Sequence, residues 1–157
     1  MDTIIAAQEH VALARSLLDL YNNRQSDPAW LEKSMAAFAA DFEVIDVPSR
    51  TTLHGPDGLK RLLLFFVESF PDLRAERINA FATEDQVTLQ GIWRWNDTGH
   101  LYLPSGAPPS MGHLGKLRCC FVLQIREGKI ASLHSYYNMM TLMEQLSLVP
   151  AWAQATE

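Results

Sequence analysis

The sequence predicts an α+β domain in which a curved antiparallel sheet packs helices against its concave side. Three observations carry this. Apolar residues recur every three to four positions through the first third of the chain. From about residue 73 onward they alternate every second position instead. No repeat, low-complexity tract or linker interrupts the 157 residues, a length that suits one domain with a sizeable core.

Val11, Ala14, Leu17, Leu18 and Tyr21 give a first helix over about residues 4–23 one apolar face. "NNRQSDP" breaks it. Asp27 and Pro28 then open a second helix, the first with a capping oxygen and the second with a backbone angle suited to the first turn. That helix runs through Trp30, Leu31, Met35 and Phe38. "FEVIDVP" is a short strand that must end by Pro48. A turn with His54 and Gly55 leads into the third helix; Gly55 supplies an unusual backbone angle and His54 is read as structural. Leu59, Leu62, Leu63, Phe66 and Phe70 line one side of this helix. Leu64, Phe65 and Val67 extend the apolar surface, so it is expected to be buried on two sides until Pro71 stops it.

The rest reads as β. "LRAERINAFAT" is a strand, "EDQ" a tight turn and "VTLQGIWRWND" a strongly alternating strand. Val87, Leu89, Gly91, Trp93, Trp95 and Asp97 share one face of it; Thr88, Gln90, Ile92, Arg94 and Asn96 share a solvated one. "TGHLYLPSGAPPSMGHLG" is a long loop. "KLRCCFVLQIR" and "IASLHSYYN" form a hairpin about "EGK", and "MMTLMEQLSL" is a closing helix.

Composition excludes several functions. A formal net charge of −5, with no cluster of Lys and Arg, repels a phosphate backbone, so no nucleic-acid partner is expected. The longest apolar run, Leu62 to Val67, is too short to span a bilayer, so no membrane partner is expected. "MDTIIAAQEH" lacks the basic region of a secretory signal. Cys119 and Cys120 are adjacent and point to opposite faces of a strand. They read as two reduced thiols in a cytoplasmic protein. No GxGxxG, P-loop or HExxH motif occurs, so neither a cofactor nor a metal is expected.

"YNNR" after the first helix, "HGPDGLKRLL", "FPDL", "NDTG", "PPSMGH", "REGKI" and "LMEQLSLVP" follow one another in an order that resembles the SnoaL-like polyketide cyclase family, within the nuclear-transport-factor-like superfamily. The resemblance covers nearly the whole chain as one domain, residues 1–157. It implies a cone-shaped α+β barrel whose curved sheet wraps around three N-terminal helices, with a short C-terminal helix. It also implies a homodimer paired through the sheet. Two family positions are altered. Asp97 stands where a histidine is common, and Asn138 stands where an aspartate is common, seven residues before Gln145. Asparagine takes no proton near neutral pH but still forms hydrogen bonds.

Several residues are candidates for the site. The indoles of Trp93 and Trp95 suit the wall of an apolar cavity for a flat ligand, with Phe66 on the facing helix. Asp97 beside them would be poorly solvated and suited to acid-base work. Asn138 matches the family's polar position, which turns His134, Tyr136 and Asn138 toward the cavity. His134 is then the acid-base partner of Asp97, while Tyr136 and Asn138 polarise a carbonyl. His113 in the loop and Asp46 on the short strand are further substrate-binding candidates. The expected function is a cofactor-free cyclase or isomerase that acts on a hydrophobic small molecule, polyketide- or terpenoid-like, by acid-base catalysis. The alternatives are an epoxide-opening hydrolase or cyclase of the same fold, and a non-catalytic small-molecule-binding protein.

Overall fold

The computed structural model describes residues 2–96 and 114–148, so Asp97 and His113 lie outside the described residues. The helices are α1 (Asp2–Asn22), α2 (Trp30–Ala36), α3 (Gly55–Ser69) and α4 (Met139–Gln145). The strands are β1 (Phe38–Asp46), β2 (Thr51–His54), β3 (Arg74–Ala82), β4 (Gln86–Trp95), β5 (Gly115–Arg126) and β6 (Lys129–Tyr137). They form one sheet in the order β2-β1-β6-β5-β4-β3. The expected α+β architecture is observed: a curved, unclosed sheet with the helices against its concave side.

The sheet is mixed rather than purely antiparallel, because β1 runs parallel to β6. β1 is also longer than the short strand expected, and Phe38 begins it instead of ending α2. The start of β6 explains this. Ile130 N–H donates to the Ala37 carbonyl at 2.9 Å, which draws the chain into the sheet directly after the last helical turn. Phe38 then packs edge-on against Phe42, their rings 5.1 Å apart. β2 is a four-residue edge strand in a segment read as turn.

Several turns follow the local chemistry of the sequence. The β5–β6 hairpin turns at Glu127 (φ 51°) and Gly128 (φ 72°), the left-handed pair that fits a two-residue connection. Gly55 opens α3 with φ 68°, and Pro56 follows in the first turn. Asp27 accepts from the Ala29 N–H and from Lys33 Nζ, but the N-cap of α2 is Ala29 without a side-chain cap, so the helix starts later than expected from Asp27 and Pro28.

A bulge decides which way β6 faces. Ile125 pairs with Ile130, but Gln124 pairs with Ser132, so Ala131 is an extra residue without a counterpart on β5. Alternation carried on from the fully buried Ile130 would turn Ser132, His134 and Tyr136 inward. The extra residue reverses it, and Leu133, Ser135 and Tyr137 face the core instead. The placement of His134 and Tyr136 toward the cavity is thereby corrected. Tyr136 is 41% exposed on the opposite face of the sheet.

Side chains clamp the helix ends to the sheet. The Asn22 amide donates to the Ala75 carbonyl and accepts from the Ala75 N–H, both at 2.9 Å, as a neighbouring strand would. Gln145 at the end of α4 does the same to Lys116, both bonds 2.6 Å. Arg24 is buried and donates to the carbonyls of Tyr21, Leu73 and Pro71 at 2.9, 2.9 and 2.5 Å. "YNNR" therefore holds "FPDL". Asp72 of that second segment accepts from the Asn96 N–H, which fixes the end of β4. Arg24→Met keeps the length of the side chain and removes every donor. It is expected to lower stability by about 2 kcal/mol, read as a lower denaturant midpoint at unchanged slope.

Candidate active site

The concave face of the sheet and helices α1 and α3 enclose a cavity of about 180 Å³ whose wall is almost wholly apolar. Leu17 and Tyr21 come from α1, Leu62 and Phe66 from α3, and Trp93 and Trp95 from β4. Two expectations about β4 meet here: its odd-numbered residues face inward, and both indoles stand in the wall. Trp93 meets Tyr21 edge-on at 5.5 Å and Phe121 at 6.0 Å. Trp95 is almost fully buried and leans on Phe70, 5.0 Å away. Its indole also occupies the space above Gly115, its partner across the β4–β5 ladder. A Cβ at residue 115 would stand 1.7 Å from Trp95 Cε2, so only glycine fits there.

One carboxylate lines this cavity among the described residues: Asp46, at the end of β1. Asp46 pairs with Ser135 in the parallel ladder, which brings two β6 side chains onto it. Ser135 Oγ donates to Asp46 Oδ1 at 2.5 Å, and Tyr137 Oη donates to Oδ2 at 2.8 Å. The Ser49 hydroxyl, from the turn after β1, also reaches Oδ2. Asp46 is thus oriented by three hydroxyls while part of it borders the cavity. Burial, and then the hydrogen bond to Asp46, hold the Tyr137 phenol well above the usual tyrosine range, so it stays a donor. Burial, reinforced by the charge of Asp46, pushes the Cys119 thiol in the same wall up to about 12. Cys119 and Cys120 are both free; the first is buried and the second half-buried.

The remaining candidates are placed differently. Phe66 borders the cavity from α3. His134 is half-buried and absent from the cavity wall, its ring on the outer face with Tyr136. Asn138 is exposed and caps α4, where its Oδ1 accepts from the Thr141 N–H at 3.1 Å. It therefore does not face the cavity beside His134. Ser135, Tyr137 and Tyr21 were missed as polar wall residues. Of these only Tyr21 carries a sequence signal: it falls on the apolar face of the first helix and opens "YNNR". No group of three His, Cys, Asp or Glu side chains that could hold a metal occurs among the described residues. No helix among them is long and apolar enough to cross a membrane.

A family model described as SnoaL-like polyketide cyclase matches residues 12–146, which include the second half of α1, the other helices, the cavity wall and the Asp46 cluster. The chain belongs to the SnoaL-like polyketide cyclase family. Solved structures share the fold of this SnoaL-like chain at low identity. A proposed SnoaL-like polyketide cyclase from Jannaschia sp. CCS1 superposes with a TM-score of 0.78 at 18% identity, covering 92% of this chain and 95% of that one. A proposed hydroxylase from Streptomyces galilaeus gives 0.70 at 19% identity, covering 88% and 85%. A proposed ketosteroid isomerase from Kribbella flavida DSM 17836 gives 0.64 at 15% identity, covering 88% and 82%. Those three descriptions name three reactions, so the SnoaL-like fold does not select the chemistry. No curated protein matches the chain.

Proposed function

We propose that this chain is a cofactor-free cyclase or isomerase that moves a proton on a hydrophobic small molecule, of polyketide or terpenoid type, held in the cone cavity. The observation that carries the reading is Asp46, a carboxylate oriented by Ser135 and Tyr137 in an otherwise apolar wall. Proton removal next to a carbonyl needs a base within reach and an environment that excludes competing water. Asp46 serves as that base. Tyr137 and Ser135 hold its oxygens in place and follow the change in charge as the proton arrives. Trp93, Trp95 and Phe66 pack on the rings of the substrate. Asp97, two residues beyond β4, is the second candidate base.

The test is substrate-independent. The protein, with nothing added, is incubated in D2O with a panel of bicyclic and tricyclic ring ketones, and loss of the α-proton signals is followed by NMR. Acceleration over buffer is expected for members that bind. Binding of several ketones with no acceleration of any would sink the proton-transfer reading in favour of a non-catalytic binding protein.

The reading also includes a cytoplasmic homodimer. Phe81 and Tyr136 are exposed apolar side chains on the outer face of the sheet, which is where a second copy would pair. Light scattering at micromolar concentration is expected to give the mass of two chains; a mass of one chain would remove this part of the proposal.

A further inference from the structure

The cavity wall carries a negative charge that no cation answers. Asp46 is its carboxylate, and no Lys, Arg or His side chain lines the cavity among the described residues. Nor does Asp46 form an ion pair with any of them. Its partners are the neutral hydroxyls of Ser49, Ser135 and Tyr137. The buried Arg24 lies over the Tyr21 ring but not in the cavity wall, and its donors go to backbone carbonyls. A carboxylate has about four acceptor sites. Tyr137 and Ser49 bond to Oδ2 and only Ser135 to Oδ1, so Oδ1 keeps acceptor capacity. The charge is felt along the wall: burial first, and then Asp46, push up the Cys119 thiol beside the cavity. The rest of the wall is apolar and rich in rings, among them Trp93, Trp95, Phe66, Phe70 and Phe121. The faces of such rings attract cations.

We infer that the cavity takes a ring compound carrying a positively charged nitrogen, such as an iminium ion, with the charge held against Asp46 and the aromatic wall. A neutral ligand that fills the cavity strips water from Asp46 and offers its charge nothing in exchange. An anion adds repulsion. A cation offsets the lost water by direct attraction, and the ring faces add to it. The charge also suits proton transfer to Asp46. When the carbon beside an iminium group loses its proton, the C–H electron pair becomes a carbon–carbon double bond and the nitrogen becomes neutral. The proton arriving on Asp46 neutralises the carboxylate. Both charges leave the apolar cavity in one step, whereas a ketone would carry the negative charge onward as an enolate. This rests on the proposed small-molecule cavity and adds to it the charge of the ligand and the residue that selects it.

The experiment uses three flat bicyclic compounds of similar shape: 1-methylquinolinium, a cation; 1-methylnaphthalene, its neutral carbon isostere; and 1-naphthoate, an anion. Binding is measured by equilibrium dialysis in about 0.15 M salt, which screens the net charge of the chain. The intact chain is expected to bind the cation at least about tenfold more tightly than the anion. Asp46→Asn is expected to lower the affinity for the cation by about tenfold or more and to leave that for 1-methylnaphthalene little changed. An anion bound as tightly as the cation, or a cation affinity that Asp46→Asn does not lower, would overturn the inference. So would binding of the neutral compound without binding of the cation, which leaves the cavity standing. Failure of all three to bind the intact chain would overturn the cavity reading and this inference with it. Should Asp46→Asn not fold, the order of cation and anion on the intact chain decides.

Discussion

Asp46→Asn is expected to slow α-proton exchange on ring ketones by about 100- to 10,000-fold, the range typical of a general base. The substitution keeps the size of the side chain and its hydrogen-bonding capacity while removing the proton acceptor. The Ser135 and Tyr137 hydroxyls, which now donate to Asp46, can rotate to accept from an amide. Ligand affinity is therefore expected to change little while exchange collapses. Tyr137→Phe deletes one of the orienting bonds and is expected to cost several-fold to a hundredfold. His134→Ala is expected to leave exchange unchanged, because its ring lies on the other side of the sheet. If Asp97→Asn abolishes exchange and Asp46→Asn does not, the base is Asp97. NMR exchange rates for the four variants, with circular dichroism to verify folding, make the comparison.

Gly115→Ala is expected to destabilise the fold by about 3 kcal/mol, a large effect for one added methyl group. The new carbon would overlap the buried Trp95 indole, with its Cε2, Cζ2 and Cδ2 atoms within 2.2 Å of the position. Overfilling a packed site costs about 1–3 kcal/mol and occasionally more, and here the opposing atoms belong to a rigid bicyclic ring backed by Phe70. Denaturant unfolding measures the loss. Combining Gly115→Ala with Trp95→Phe is expected to recover much of it, because the smaller ring vacates the contested space. A Gly115→Ala variant as stable as the parent would show that Trp95 has another position open to it.

The parts legible in the sequence were those whose signal is local. The three- and four-residue spacing on α1 and α3 and the alternation on β4 and β5 each sit within one element, and Trp93, Trp95 and Phe66 fall in the cavity wall that those periodicities imply. β2 was not legible. Its four residues are mostly exposed and owe their extended form to β1 alone. The parallel pairing of β1 with β6 leaves no local mark either, so nothing marked Asp46 as the meeting point of Ser135 and Tyr137. The faces of β6 were read in reverse because they were taken from the family position at Asn138; the extra residue at Ala131 gives the strand its observed parity. The family position at Asn138 suggested an inward amide, and the residue is instead used to start α4. Asparagine is among the best residues for that task.

The position of β6 has a consequence for how the protein comes into being. This strand lies in the middle of the sheet, between β1 and β5, yet it is the last strand among the described residues. Two of the three hydroxyls that orient Asp46 come from 89 and 91 residues downstream. As the chain is synthesised, β1 therefore keeps one unpaired edge until β6 has been made. Closing so distant a pairing is slow compared with forming the hairpins on either side. The β5–β6 hairpin is local, so it is the meeting of β1 with β6 that gives Asp46 the Ser135 and Tyr137 hydroxyls.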